Sequence, residues 1–415
     1  VTIQGHHVIS ESGRSKRSFR FLLGTGAAEG FGDSLTRTVL PILAVATLGL
    51  GTAYVGVLNA IGLSAFLLLG MPIGMAVDRL RNPVIAMGTA TLLRFGALAG
   101  LCVAWFGGWL SGTLLGCIAV LIGLADVLFT TAERTVIPGI IQPHKLKKAY
   151  SRLAMVDQST STAAAGTGSV LIALLGVPAA LMASAASYAA SRAFQFGVKV
   201  PQIHRTNAPR VSASNQFRNG FRTLRRNPAA WALTLSATLT NAGAMLGNTV
   251  LPVYSMRDLL IHPGAYAALG VLSAGGAILG AAAAPRMSEH LGLRTLRAGA
   301  ALLPVPAVLL AVGCLWFPGP DLIWLSAQAL TWSFLVSISA VAGAEVLPRS
   351  VDRSELATVG AAQRTISLGI MPVAAIVGGL AAGALGPLPL ILVWGLLAGV
   401  AAIPVARCRD LANFY

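Results

Sequence analysis

The chain has 415 residues, of which 55% are hydrophobic and only 11% charged, and its formal net charge is +16 at pH 7. Soluble domains carry about 25% charged residues, so a chain with so few charges and a mean hydropathy of +0.74 has no means of covering itself with an ionic surface. A set of soluble domains is excluded, and a polytopic membrane protein remains.

In chain order, residues 1–19 are polar and then basic, as expected of a cytoplasmic segment. They lack the short apolar run and small-residue cleavage site of a signal peptide, so the first span is expected to be retained. Apolar runs of the length a helix needs to cross a bilayer, about 20 residues, then recur along the chain. They cover 20–46, 53–77, 83–106, 110–133, 153–175, 177–198, 229–255, 264–288, 294–317, 322–346, 356–384 and 387–406. Transmembrane strands would alternate apolar and polar residues, which these runs do not. The expectation is an all-α membrane protein of twelve helices with both termini cytoplasmic.

The first of these spans holds an anomaly. "GAAEGFGDSLTRTVLPIL" (26–43) carries Glu29, Asp33 and Arg37 at four-residue spacing, and residues so spaced share a helix face. At 1.5 Å per residue, Asp33 falls near mid-bilayer. A carboxylate facing hydrocarbon there costs about 2.5–3.5 kcal/mol or more, so the face turns toward water or toward partners. Either Asp33, with Glu29 as a second site, binds and releases a proton, or Asp33 and Arg37 neutralise each other along the helix. Arg94 near the middle of the third span and Asp126 in the fourth are candidates for the same polar cluster, with bracing pairs as the alternative.

The basic residues follow the same threading. Of the thirty Lys and Arg, twenty-four fall on the expected inside segments and one, Arg257, outside; Arg37, Arg94, Arg134, Arg192 and Arg364 lie in or at the ends of spans. That asymmetry is the positive-inside rule, so the basicity reports topology and no nucleic acid is expected as a partner. Cys102, Cys117, Cys314 and Cys408 show no paired spacing in an outside loop, so no disulfide framework is indicated. The polar interval 199–228 divides the spans six and six, giving expected halves at 20–198 and 229–406 joined by a basic linker, with a tail at 407–415. Equal halves suggest the duplication on which many secondary transporters are built.

In the second half, Asn241 and Asn248 share a face with Met245 between them, and Gln328 and Trp332 repeat a four-residue spacing. Amides in an apolar wall suit a cavity for an amphiphilic molecule, or helix-to-helix hydrogen bonds equally well. Arg364, near Glu345, Asp352 and Glu355, marks a cytoplasmic gate or a topological anchor. Pro41, Pro138 and Pro372 bend or end spans, and the small residues of "GGAILGAAAA" (275–284) permit close packing and sliding. No phosphate-binding G-x-x-x-x-G-K-[ST] loop is present. No cofactor or metal is expected, and a proton gradient is the expected energy source, with simple facilitation as the alternative.

"GMAVDRLRNP" (74–83) resembles the loop signature of the major facilitator superfamily. With "GFGDSLTRTVLPIL", "AERTVIPGIIQPHKLKKAYS", "FRNGFRTLRRNPA" and "QRTISLGIMPVAAIVGGLAAG" in order, the chain resembles the branch of enterobactin exporters and macrolide efflux proteins. It departs from drug antiporters of the superfamily in the fifth span, "STAAAGTGSV" (161–170), which lacks their proline. The resemblance implies that the first span borders a central cavity. It also implies that Asp78 stabilises one face of an alternating-access cycle while Arg79 contacts acids at adjacent helix ends.

The expected function is a proton-coupled exporter of a small amphiphilic compound such as a drug, siderophore or secondary metabolite. It would act as a monomer in the lipid bilayer of a bacterial cytoplasmic membrane, and not as an enzyme. The alternatives are an importer or lipid-moving protein on the same scaffold, or a non-transporting receptor or scaffold.

Overall fold

Asparagine followed by proline opens two of the helices in the same way. In the computed structural model, which describes residues 3–80, 82–141, 146–200, 213–315, 319–344, 346–351 and 355–414, the Asn82 side chain accepts from the Val84 amide at 3.1 Å. Asn227 does the same for Ala230 at 3.0 Å. Pro83 and Pro228 take the first helical position, where a missing N–H costs nothing.

The first unit comprises Val1–Leu48 and Ile61–Asn207, the second Gly49–Ala60 and Ala208–Tyr415. The chain runs through α1 (Ile3–Ile42), α2 (Thr52–Arg79), α3 (Pro83–Phe106), α4 (Gly112–Ile140), α5 (Leu146–Leu175) and α6 (Val177–Gln195). It continues through α7 (Ala213–Arg226), α8 (Pro228–Val253), α9 (Pro263–Leu291), α10 (Leu293–Leu302), α11 (Pro304–Leu309) and α12 (Asp321–Ala342). The last helices are α13 (Val346–Ser350), α14 (Leu356–Leu385), α15 (Pro387–Val400) and α16 (Ala402–Arg407). No strand occurs among the described residues.

Several boundaries differ from the sequence reading for identifiable reasons. The N-terminal segment is helical from Ile3 and continuous with the first span. The linker contains α7, whose Leu224 is fully buried and whose Gly220 lies against the backbone of α14 at Thr358. The expected ninth span, 294–317, is broken into α10, α11 and a 3-10 turn because Pro304 and Pro306 remove backbone donors.

Eight stretches among the described residues are long and apolar enough to cross a membrane: Thr52–Gly70, Pro83–Phe106, Gly112–Ile137, Pro263–Leu291, Arg294–Gly313, Asp321–Gly343, Thr358–Leu385 and Pro387–Arg407. The other four expected spans, 20–46, 153–175, 177–198 and 229–255, are helical but carry the charges of the first span and many Ser, Thr and Asn side chains.

One short motif recurs at two helix ends. "TVLP" occurs at 38–41 and again at 249–252, and a wide π turn follows each time, Leu43–Thr47 and Tyr254–Asp258. Proline has no N–H to close the α-helical ladder, and a single π turn is one accommodation. Aligned on this motif, Glu29, Asp33 and Arg37 correspond to Thr240, Ala244 and Asn248. The backbone device occurs in both places and the charges in one.

In the first unit α1 packs on α5 and α6, while α3 packs on α4 and α6. In the second, α9 packs on α12 and α8 on α14 and α15. Trp394 of α15 anchors a core with Leu246, Val250, Leu325 and Ala329, and Gly243 and Gly247 of α8 leave room for its ring.

Candidate functional site: a buried carboxylate cluster around Arg94

Four helices of the first unit bring their polar residues to one place. From α1 come Glu29 and Asp33, from α3 Thr91 and Arg94, from α4 Asp126, and from α6 Tyr188, Ser191 and Gln195. Close approach is possible because Gly32 faces the Tyr188 ring and Gly88 faces Gln195 and Arg192; a Cβ on Gly32 would lie 3.0 Å from the ring.

Arg94 is 1% exposed and is the hub. Its Nη1 donates to Glu29 Oε2 and lies 3.3 Å from Asp33 Oδ1. Its Nη2 lies 2.5 Å from Asp126 Oδ1. The guanidinium also stands over the rings of Phe129 and Tyr188, 5.2 and 5.5 Å from their centroids, a favourable place for a desolvated cation.

The three carboxylates are not equivalent. Glu29 is 2% exposed, and its Oε1 accepts from Thr91 at 2.5 Å and Ser191 at 2.7 Å. Gln195 Nε2 donates to those two hydroxyl oxygens, at 2.7 and 3.3 Å, and the Thr91 hydroxyl also lies 3.0 Å from the Met87 carbonyl. Both carboxylate oxygens of Glu29 thus have donors within the closed wall. Asp33 accepts from the Tyr188 hydroxyl at 2.6 Å, and the Asp33 and Asp126 side chains are 23% and 28% exposed. Those two acids keep a way out.

Sequence reasoning placed Glu29, Asp33, Asp126 and Arg94 among its candidates, and the fold brings all four together. Arg37 is exposed, and among the described residues no carboxylate lies within 4 Å of it; it lies within electrostatic range of Asp126. Arg94 is the cation in direct contact with the acids.

Sequence reasoning missed the α6 contribution. Ser184, Ser187, Tyr188, Ser191 and Gln195 fall on one helical face, a spacing that would have exposed them. Ser184 bonds Thr36 and the Gly32 carbonyl, and Ser187 the Ala28 carbonyl. Glu133 of α4, with its Oε1 3.9 Å from where a Gly26 Cβ would sit, was also missed, as was Asp157 of α5, with its Oδ1 3.1 Å from a Gly30 Cβ.

The candidates of the second unit are placed differently. Asn241 donates to the Ser367 carbonyl at 2.8 Å, a helix-to-helix bond between α8 and α14. Met245 and Gln328 are buried, and Asn248 is exposed. Trp332 packs edge-to-face on Trp394 at 4.7 Å. Arg364 is exposed. The side chains of Asp78 and Arg79, and all of Glu345 and Asp352, lie outside the described residues.

Residues 22–373 match the family model of the Major Facilitator Superfamily. The chain belongs to that superfamily. It is a multi-pass integral membrane protein and a transporter, not an enzyme. The nucleoside transporter NupG shares its fold at 12% identity, over 96% of this chain and all of that one, with a TM-score of 0.70. A bacterial homologue of the iron transporter ferroportin matches at 15% identity over 94% of this chain and 99% of that one, TM-score 0.72. A POT family transporter in complex with 5-aminolevulinic acid matches at 11% identity over 95% and 96%, TM-score 0.72. Among curated proteins no sequence matches.

Proposed function

We propose that this superfamily member is a proton-coupled exporter of a small amphiphilic compound in a bacterial cytoplasmic membrane, and that Asp33 and Asp126 carry the proton. One observation supports the coupling: three carboxylates converge on a single buried guanidinium. Fully ionised, the group would hold two uncompensated negative charges in a mostly dry interior, which is costly. A proton bound to one carboxylate relieves that excess; like charges sharing a site favour its uptake, and an arriving cation favours its release.

Glu29, saturated with donors, serves as the fixed counter-ion of Arg94. Asp33 and Asp126 face each other across the guanidinium with part of each side chain exposed, so proton uptake belongs to them. The Tyr188 hydroxyl donates to Asp33 Oδ1, which leaves Oδ2 to take the proton without breaking that bond.

Export, and an amphiphilic cargo, rest on the resemblance to efflux proteins and on the absence of clustered binding cations in the sequence. The fold is shared with transporters whose names record nucleosides, 5-aminolevulinic acid and iron, so the side chains decide the cargo.

The test is proton movement in inverted vesicles containing the purified protein, challenged with lipophilic cations and metabolites. Compound-dependent proton release is expected in the wild type and is expected to be lost in Asp33→Asn and Asp126→Asn. Release unchanged in both variants would reduce the two acids to partners of Arg94.

A further inference from the structure

Arg94 has three carboxylates; a second arginine, similarly enclosed, has none among the described residues. Arg297, counted with the inside segment in the sequence reading, is 5% exposed and sits on α10 within the second unit. Its Nη1 donates to the Ser339 carbonyl near the end of α12. Its Nε is buried without a partner, and among the described residues no carboxylate lies within 4 Å. Gly343 makes its position possible, since a Cβ there would come 2.1 Å from Nη1.

The guanidinium lines a cavity of about 430 Å³ together with Ala230, Leu233, Ala237, Ala340, Leu347 and Gln363. That volume falls in the range of about 300–1,000 Å³ typical of small-molecule sites. Arginine does not lose its proton in proteins and presents five N–H donors. The Ser339 carbonyl, at the negative end of a helix, meets one of them. A buried guanidinium nitrogen without a partner is the exception that calls for an explanation, and an open cavity beside it supplies one.

We infer that this cavity of the second unit binds an amphiphilic organic anion, its carboxylate or phosphate head on Arg297 and its apolar body along the alanine and leucine walls. Gln363 offers a second polar contact for the head. One cation favours one anionic group, and the otherwise aliphatic lining favours a body without further charges. The site shares no residue with the carboxylate cluster and does not depend on how that cluster handles protons.

The test uses full-length protein in phosphatidylcholine nanodiscs, with thermal unfolding and calorimetric titration against octanoate, octyl phosphate, 1-octanol and octylamine. Octanoate and octyl phosphate are expected to raise Tm and to bind saturably, and the alcohol and the amine to do neither. Arg297→Gln is expected to weaken octanoate binding about tenfold or more, as loss of a charged hydrogen-bond donor does, and Arg297→Lys to restore part of it. If Arg297→Gln does not fold, Ala340→Trp, at an exposed wall position, fills the cavity and is expected to block binding.

A rise in Tm in phosphatidylglycerol discs without added anion would assign the head group to a lipid, and a rise that needs octanoate would assign it to a soluble ligand. Octanoate binding no stronger than that of octanol, or unchanged in Arg297→Gln or Ala340→Trp, would overturn the inference.

Discussion

At the scale of single residues, the first unit shows how identical functional groups acquire different roles from their neighbours. Glu29 and Asp33 lie one turn apart on the same helix face. Glu29 receives two hydroxyls and a guanidinium inside a closed wall, whereas Asp33 receives a phenol and keeps part of its side chain exposed. Glu29→Gln weakens charge-assisted bonds from two hydroxyls and a guanidinium in a closed wall and is expected to lower unfolding stability by about 1.5–3 kcal/mol. Asp33→Asn, at a partly exposed pair, should cost no more than about 1 kcal/mol. Denaturant unfolding of the two variants in the same detergent checks the difference; equal losses would contradict the distinction. Spacing alone announced a charged face but could not say which cation reaches it, because Arg37 is nearer in sequence and Arg94 nearer in space.

At the scale of helices, small residues set the distances. A Cβ added to Gly276 would meet the Leu330 carbonyl at 2.3 Å, and one on Gly280 the Phe334 carbonyl at 2.2 Å, whereas Gly275 has nothing within 4 Å. Gly276→Ala and Gly280→Ala are therefore expected to lose about 1–3 kcal/mol through overpacking of α9 on α12. Gly275→Ala should change stability by about 0.5 kcal/mol or less. Thermal unfolding of the three variants reads the contrast directly. The run 275–284 shows in sequence that some helix must come close there; which of two adjacent glycines takes the contact is a matter of helix rotation, set by the partner. The same holds for α6, whose serines look like dilution of an apolar span until α1 is beside them.

At the scale of the whole molecule, a backbone motif recurs where the chemistry does not. The repeated "TVLP" and its π turn survive in both copies, whereas Glu29, Asp33 and Arg37 have become, or began as, Thr240, Ala244 and Asn248. The inside bias of Lys and Arg predicts the topology, and impermeant maleimide labelling in a background with the four native cysteines replaced by serine checks it. Leu260→Cys, exposed beyond the seventh span, is expected to label in intact cells, and Arg218→Cys, on α7 in the basic interval, only in inverted membranes. The reverse pattern would overturn the threading and the expected cytoplasmic termini with it.

The sequence by itself determined the solvent, the helical class, the basic asymmetry and the presence of charges where a membrane helix cannot keep them unpaired. These follow from composition and from periodicities of one helix, which are local. Only the tertiary structure decided that Arg94 rather than Arg37 meets the acids, that Glu29 is enclosed while Asp33 and Asp126 are not, and that Arg297 is buried instead of lying in a loop. Each of those depends on which faces of separate helices meet. Side-chain partners and burial are properties of contacts between segments tens of residues apart, and a desolvated charge is defined by what surrounds it, not by what precedes it in the chain.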